Sequence, residues 1–195
     1  MINKTFQKEN SLQSEIVILN NFNDTVKAKP WVHGFVDKVT NKIYVLNMAT
    51  MKSRSTIAAY NNETIASFED VVIHEYTHKV IEEVIDSYNI STIKIPKWFH
   101  EGIATYYEDL YGNKIIENTA SDIGDLRIDK NFTGNNNMGE YYERAAIVIN
   151  YIISNYKETV IIDILESMSK GNDIYEALKI VTGESFEDIT DKVLN

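Results

Sequence analysis

The stretch Ser67-Phe68-Glu69-Asp70-Val71-Val72-Ile73-His74-Glu75-Tyr76-Thr77-His78-Lys79-Val80-Ile81-Glu82-Glu83-Val84-Ile85 decides how this chain is read. Ser67, with Asp70 at the third helical position, matches a capping box. Val71, Val72, Tyr76, Val80, Ile81, Val84 and Ile85 supply a wide apolar surface, so a helix is expected over about 68–87. Such a helix is deeply buried, yet it carries two histidines and a glutamate in the order His74-Glu75-x-x-His78. Burying neutral polar groups without partners costs on the order of 2 to 7 kcal/mol each, and more for a charge. A bound cation removes that cost.

Helix geometry says how a cation would be held. Residues four apart are rotated by about 40° and separated by roughly 6 Å along the axis, so the imidazoles of His74 and His78 leave one face and can meet one metal. Glu75 lies about 100° round from His74, placed to take a proton from water rather than to coordinate. The competing reading is an ordinary amphipathic helix whose histidines bond to backbone or carboxylate. It gives no reason for polar groups on this surface.

A catalytic zinc needs a third protein ligand and an open position. The chain has no cysteine, so any such ligand is histidine or carboxylate. The candidate source is Pro96-Lys97-Trp98-Phe99-His100-Glu101-Gly102-Ile103-Ala104-Thr105-Tyr106. Proline suits the first turn of a helix and Gly112 the position beyond its end, which places a helix over about 97–111. Trp98, Phe99, Ile103 and Tyr106 are expected in its buried face. Gly102 and Ala104 lack bulk beside Glu101, which is expected to let this helix approach the first closely. His100 and Glu101 both suit zinc, but they diverge by about 100°, so only one can face the metal. His33, in Pro30-Trp31-Val32-His33-Gly34, has no partner spacing and is read as a surface or turn histidine.

His74-Glu75-Tyr76-Thr77-His78 joined to Trp98-Phe99-x-Glu101-Gly102-x-Ala104 resembles the gluzincin branch of zinc metallopeptidases, in particular peptidase-MA-like domains and the catalytic part of clostridial collagenases. The similarity covers roughly residues 34–156 and is weaker beyond. The resemblance implies a zincin-like fold, one Zn²⁺ per chain held by His74, His78 and Glu101, and Glu75 as the catalytic base. It also implies a tyrosine that hydrogen-bonds the oxyanion of the tetrahedral intermediate. Tyr141 and Tyr142 open the apolar stretch from Ala145 to Tyr156, and the family's spacing of a tyrosine about nine residues before another aromatic matches Tyr142 with Tyr151. Tyr142 is therefore the expected donor, with Tyr141 as its neighbour and rival. Aminopeptidases of this branch carry a Gly-x-Met-Glu-Asn segment that grips the substrate amine. In its place stands Lys42-Ile43-Tyr44-Val45-Leu46-Asn47-Met48, which reads as a strand. As an edge strand beside the metal it would pair with an extended peptide, which favours an endopeptidase.

Composition frames this site. A chain of 195 residues with 44% apolar content suits one domain over 1–195 that buries about 70% of its unfolded surface. A net charge of −10 argues against nucleic acid and anionic membranes, leaving a peptide or protein as the expected partner and a monomer as the expected state. The start, from Met1 to Lys8, lacks an apolar core, and no window approaches a membrane span, so the chain as written is expected to be cytoplasmic, or secreted if a signal has been removed.

The expected architecture is α+β. A small N-terminal mixed sheet and the motif helix occupy about 1–90, and a mainly helical part about 95–195. Strands are expected near Glu15–Asn20, Trp31–Asp37 and Ile43–Asn47. Further helices are expected over Glu140–Tyr156, Thr159–Lys170 and Asp173–Thr182, with a last one capped by Ser185 and Asp188. The polar stretch from Gly112 to about Glu140 reads as a substrate rim or a mobile loop. The function expected from all this is hydrolysis of peptide bonds, with a non-catalytic zinc-binding or peptidase-like interaction module as the alternative.

Overall fold

The computed structural model describes residues 14–20, 32–47, 49–50, 67–112, 123–133, 138–157 and 159–194. These form a three-stranded mixed sheet near the N-terminus, followed by six helices, an α+β arrangement that is mostly helical. The strands are β1 (Ile16–Leu19), β2 (Gly34–Asp37) and β3 (Lys42–Leu46). The helices are α1 (Phe68–Ser87), α2 (Lys97–Tyr111), α3 (Met138–Asn155), α4 (Val160–Ser169), α5 (Ile174–Thr182) and α6 (Phe186–Leu194). No helix among the described residues is long and apolar enough to cross a membrane.

The sheet order is β1-β3-β2, with β1 parallel to β3 and β2 antiparallel to it. The Lys42–Leu46 strand is therefore the central one, and the expectation that it forms an edge is corrected. Its burial explains this: Ile43, Val45 and Leu46 are fully buried, as a strand flanked on both sides and covered by a helix must be. The strand flanking it on the side of the motif helix is β2. Trp31 and Met48 lie outside the described residues.

Helix α1 begins where its cap dictates. Asp70 N–H donates to Ser67 Oγ at 3.0 Å and Ser67 N–H donates to the Asp70 carboxylate at 3.0 Å. Val71 packs it on the sheet with Ile43, Val45 and Leu46, while Val80, Ile81, Val84 and Ile85 enter a second, larger core with α2 to α6. Tyr76, inside the motif, touches both cores. Two contacts pin the β2–β3 turn to the same helix: the buried Lys79 ammonium donates to Asn41 O at 2.9 Å, and Lys38 pairs with Glu82 at 3.1 Å.

Helix α2 is capped at Pro96 and ends at Gly112, whose N–H donates to Glu108 O at 2.8 Å. Trp98, Phe99, Ile103 and Tyr106 are buried, joined by Tyr107. Gly102 faces a different neighbour from the one its sequence context indicated. A Cβ there would lie 2.9 Å from Ala145 O and 3.0 Å from Ala145 C, so the close approach is to α3 and not to α1. The reason is the 100° step between successive helical residues: Glu101 points to α1, and its successor points away from it.

The stretch between α2 and α3 is also more structured than its polarity indicated. Ile123, Leu126 and Phe132 are buried in the helical core, and Asp129–Phe132 makes a 3-10 turn. Three apolar side chains seat residues 123–133 against the helices, so this part of the stretch is packed. Gly134 to Asn137 lie outside the described residues. At the C-terminal end, Asp173 caps α5 through Tyr175 and Glu176, Gly183 ends it with φ 79°, and Ser185 and Asp188 cap α6.

Replacing Gly102 with Ala forces the Ala145 backbone to move, because no rotamer of a methyl group escapes the contact. A loss of about 1 to 3 kcal/mol is expected, typical of overpacking a closed helix contact. Urea unfolding checks it; an unchanged midpoint would show that α2 and α3 separate freely.

Candidate metal centre

Helices α1 and α2 pack so that successive groups on one meet groups in reverse order on the other. His74 meets Glu108, His78 meets Glu101, and Glu82 lies near His100. The pair is therefore antiparallel, and its polar groups share one seam. His74, His78 and Glu82 recur every four residues on α1, and Glu101 and Glu108 lie two turns apart on α2, so each set forms a stripe.

At the centre of that seam three ligating atoms converge. His78 Nε2 lies 3.0 Å from His74 Nε2 and 3.1 Å from Glu101 Oε2, and His74 Nε2 lies 3.4 Å from Glu101 Oε2. These residues form a group able to hold a metal ion. The distances fit one: donors at about 2.0 to 2.1 Å from a tetrahedral zinc stand about 3.3 Å apart. The donor chemistry fits as well. Two ring nitrogens face each other and a carboxylate, and three acceptor lone pairs cannot meet in a half-buried seam without a proton or a cation among them.

The tautomer is set from outside. Glu108 Oε2 lies 3.1 Å from His74 Nδ1, and since a carboxylate only accepts, Nδ1 carries a proton; Nε2 is then the atom that holds a proton toward Glu101 in the metal-free protein and would give its lone pair to a metal ion. Glu108 was not singled out from the sequence. Its seven-residue offset from Glu101 makes it a candidate for the same helix face after two turns, and the contact with His74 singles it out.

Electrostatics follow from crowding. Burial opposes a charged His74, but hydrogen bonds to Glu101 and Glu108 and the charges of Glu101 and Glu75 outweigh it and hold the imidazole up at about 10. Glu101 is the counterpart: burial pushes its carboxyl up, while the His78 charge and hydrogen bonds from both imidazoles prevail and hold it well below the usual range. Glu75 is raised by burial, opposed by the charges of His78 and His74 and helped by Glu101 and Glu82. Its side chain runs along β2. A Cβ on Gly34 would stand 2.8 Å from Glu75 Cγ and 3.2 Å from Glu75 Oε1, so that glycine is what makes room for the carboxylate.

Tyr142, on α3, stacks on His74 with ring centroids 6.2 Å apart and on Phe132 at 5.8 Å. Burial, the charges of Glu101 and Glu75 and a hydrogen bond to Glu101 all push its phenol up. Tyr141 points elsewhere, toward Phe132 and beneath Arg144. His100 does not enter the triad. Its ring lies on His78 at 4.3 Å, and burial, then the charge of His78, push it down to about 3. His33 stands half-buried at the entry to β2, its carbonyl accepting from Leu46 N–H at 2.9 Å. The structure thus brings His74, Glu75, His78, Glu101 and Tyr142 together and adds Glu108. No family model, curated protein or solved structure matches this chain.

Metal-free protein should carry the signature of this cluster in its stability. His74 is raised from 6.5 to about 10, so its contribution is complete below about 6.5 and is lost as pH rises through 10. Glu101 is lowered from 4.5, so its contribution is present above 4.5 and is lost on acidification. The melting temperature of chelator-treated protein is therefore expected to fall between pH 6.5 and 10. A melting temperature that rises over that interval would contradict the arrangement.

Proposed function

We propose that this chain is a zinc-dependent metallopeptidase of gluzincin type with a zincin-like fold, acting as an endopeptidase on peptide or protein substrates. The observation that carries the reading is the convergence of His74, His78 and Glu101 with Glu75 beside them on the next face of α1. Held by these three residues, Zn²⁺ would supply Lewis acidity to a peptide carbonyl and to water.

The chain's own groups do the rest. Glu75 takes a proton from the attacking water and returns it to the leaving amine. Its burial supports that role, since a carboxylate raised above its ordinary range is a stronger base than one in water. Tyr142, aromatic partner of His74 and protonated at every ordinary pH, offers its hydroxyl to the oxyanion of the tetrahedral intermediate. Glu108 fixes the His74 ring. Gly34 brings β2 against Glu75, which favours an extended peptide lying along that side of the sheet. With β3 central, it offers no edge to a peptide, and what favours an endopeptidase is that the Lys42 strand stands in place of a segment that would grip a substrate amine.

Glu75→Gln tests the assignment, because the amide keeps the shape but cannot accept the proton. Zinc content is expected to stay at one per chain while cleavage of an unstructured protein falls by about 10² to 10⁴-fold. Cleavage at the wild-type rate by that variant would remove Glu75 from the mechanism. Bound zinc with no cleavage by the wild type would favour the interaction module.

A further inference from the structure

His74 and His78 are oriented by different means. His74 donates Nδ1–H to Glu108 at 3.1 Å. The corresponding His78 Nδ1 is buried and has no hydrogen-bond partner among the described residues. Rotation about the Cβ–Cγ bond of histidine is broad, so a ring without a partner is held only by what packs on it. It can also move its proton to Nε2, the atom that faces the triad. Something must hold the His78 ring in place of a carboxylate.

The group in that position is His100. Its ring lies nearly parallel to that of His78, at 19° with centroids 4.3 Å apart, a stacking contact. The nearest carboxylate to the edge of His100 is Glu82, with Oε1 4.0 Å from His100 Nε2, beyond hydrogen-bond reach and itself paired with Lys38 at 3.1 Å. Glu82 stands one turn beyond His78 on α1, so His100 enters from α2 between the ligand and its neighbour. We propose that His100 is a positioning residue whose ring face clamps His78, so that His78 presents Nε2 to the metal without the hydrogen bond that His74 has. The inference rests on the metal-centre reading. Its contribution lies in the flat face of the ring, not in its nitrogens.

The test compares the full chain with His100→Ala, His100→Leu and His100→Phe, each stripped of metal and titrated with zinc against a competing chelator. Loss of the ring face is expected to weaken zinc about 10- to 100-fold in the Ala and Leu variants, the range typical of groups that orient metal ligands. Phe, which restores a flat ring without nitrogen, is expected to bind within a few-fold of wild type and to give its cobalt absorption spectrum. Ala and Leu binding as tightly as wild type would overturn the clamp. So would Phe binding as weakly as Ala. Should the Ala variant fail to fold without metal, Leu and Phe, which both fill the space, decide between themselves. Wild type that binds no zinc overturns the metal centre and the clamp together, whereas wild type that binds zinc but cleaves nothing overturns only the peptidase reading.

Discussion

Three acceptor atoms on two helices, none more than 3.4 Å from the next, are the constraint around which the protein is organised. Left to themselves, two imidazole nitrogens and a carboxylate repel. They can stay converged in a half-buried seam only with positive charge between them, as protons or as a metal ion. Everything nearby is arranged to keep that convergence. Glu108 sets the tautomer of His74, His100 lies on His78, and the antiparallel crossing of α1 and α2 brings Glu101 within reach of both.

The rest of the fold serves the crossing from two sides. On one side the sheet packs on α1 through Val71, Ile43, Val45 and Leu46, and Lys38 and Lys79 tie its turn to the same helix. This holds β2 so close to Glu75 that only glycine fits at position 34. On the other side Gly102 lets α3 approach α2 to backbone contact, and three residues before that contact α3 carries Tyr142 on to His74. The two glycines thus set how near β2 comes to Glu75 and how near α3 comes to α2.

Much of this was legible from residue order because the signals were local. The Ser67–Asp70 box and the Pro96 to Gly112 interval are short-range devices: α1 begins where the box places it, and α2 begins and ends with its interval. The His74–His78 spacing follows from helical rotation, which left His100 and Glu101 as alternatives on α2; the resemblance selected Glu101, and it is Glu101 that stands within 3.4 Å of both imidazoles. What escaped depends on neighbours distant in sequence. A strand's rank within a sheet depends on which segments flank it, so β3 could be read as a strand but not as the central one. The direction in which Gly102 faces required knowing that α3 and not α1 lies there. Phe132 was hidden in a stretch whose composition is polar, although one aromatic ring is enough to seat it against Tyr142. Glu108 was accessible from spacing, but an acidic residue near a helix end has many solvated precedents, and only its contact with His74 separates it from them.

The central claim is that His74, His78 and Glu101 share one ion. X-ray absorption at the zinc edge of protein loaded with one equivalent of zinc tests it most directly. The account requires two imidazole nitrogens and a carboxylate oxygen at about 2.0 to 2.2 Å, with the outer-ring scattering of two histidines. A spectrum with one histidine or none, or a zinc surrounded by water oxygens alone, would contradict it.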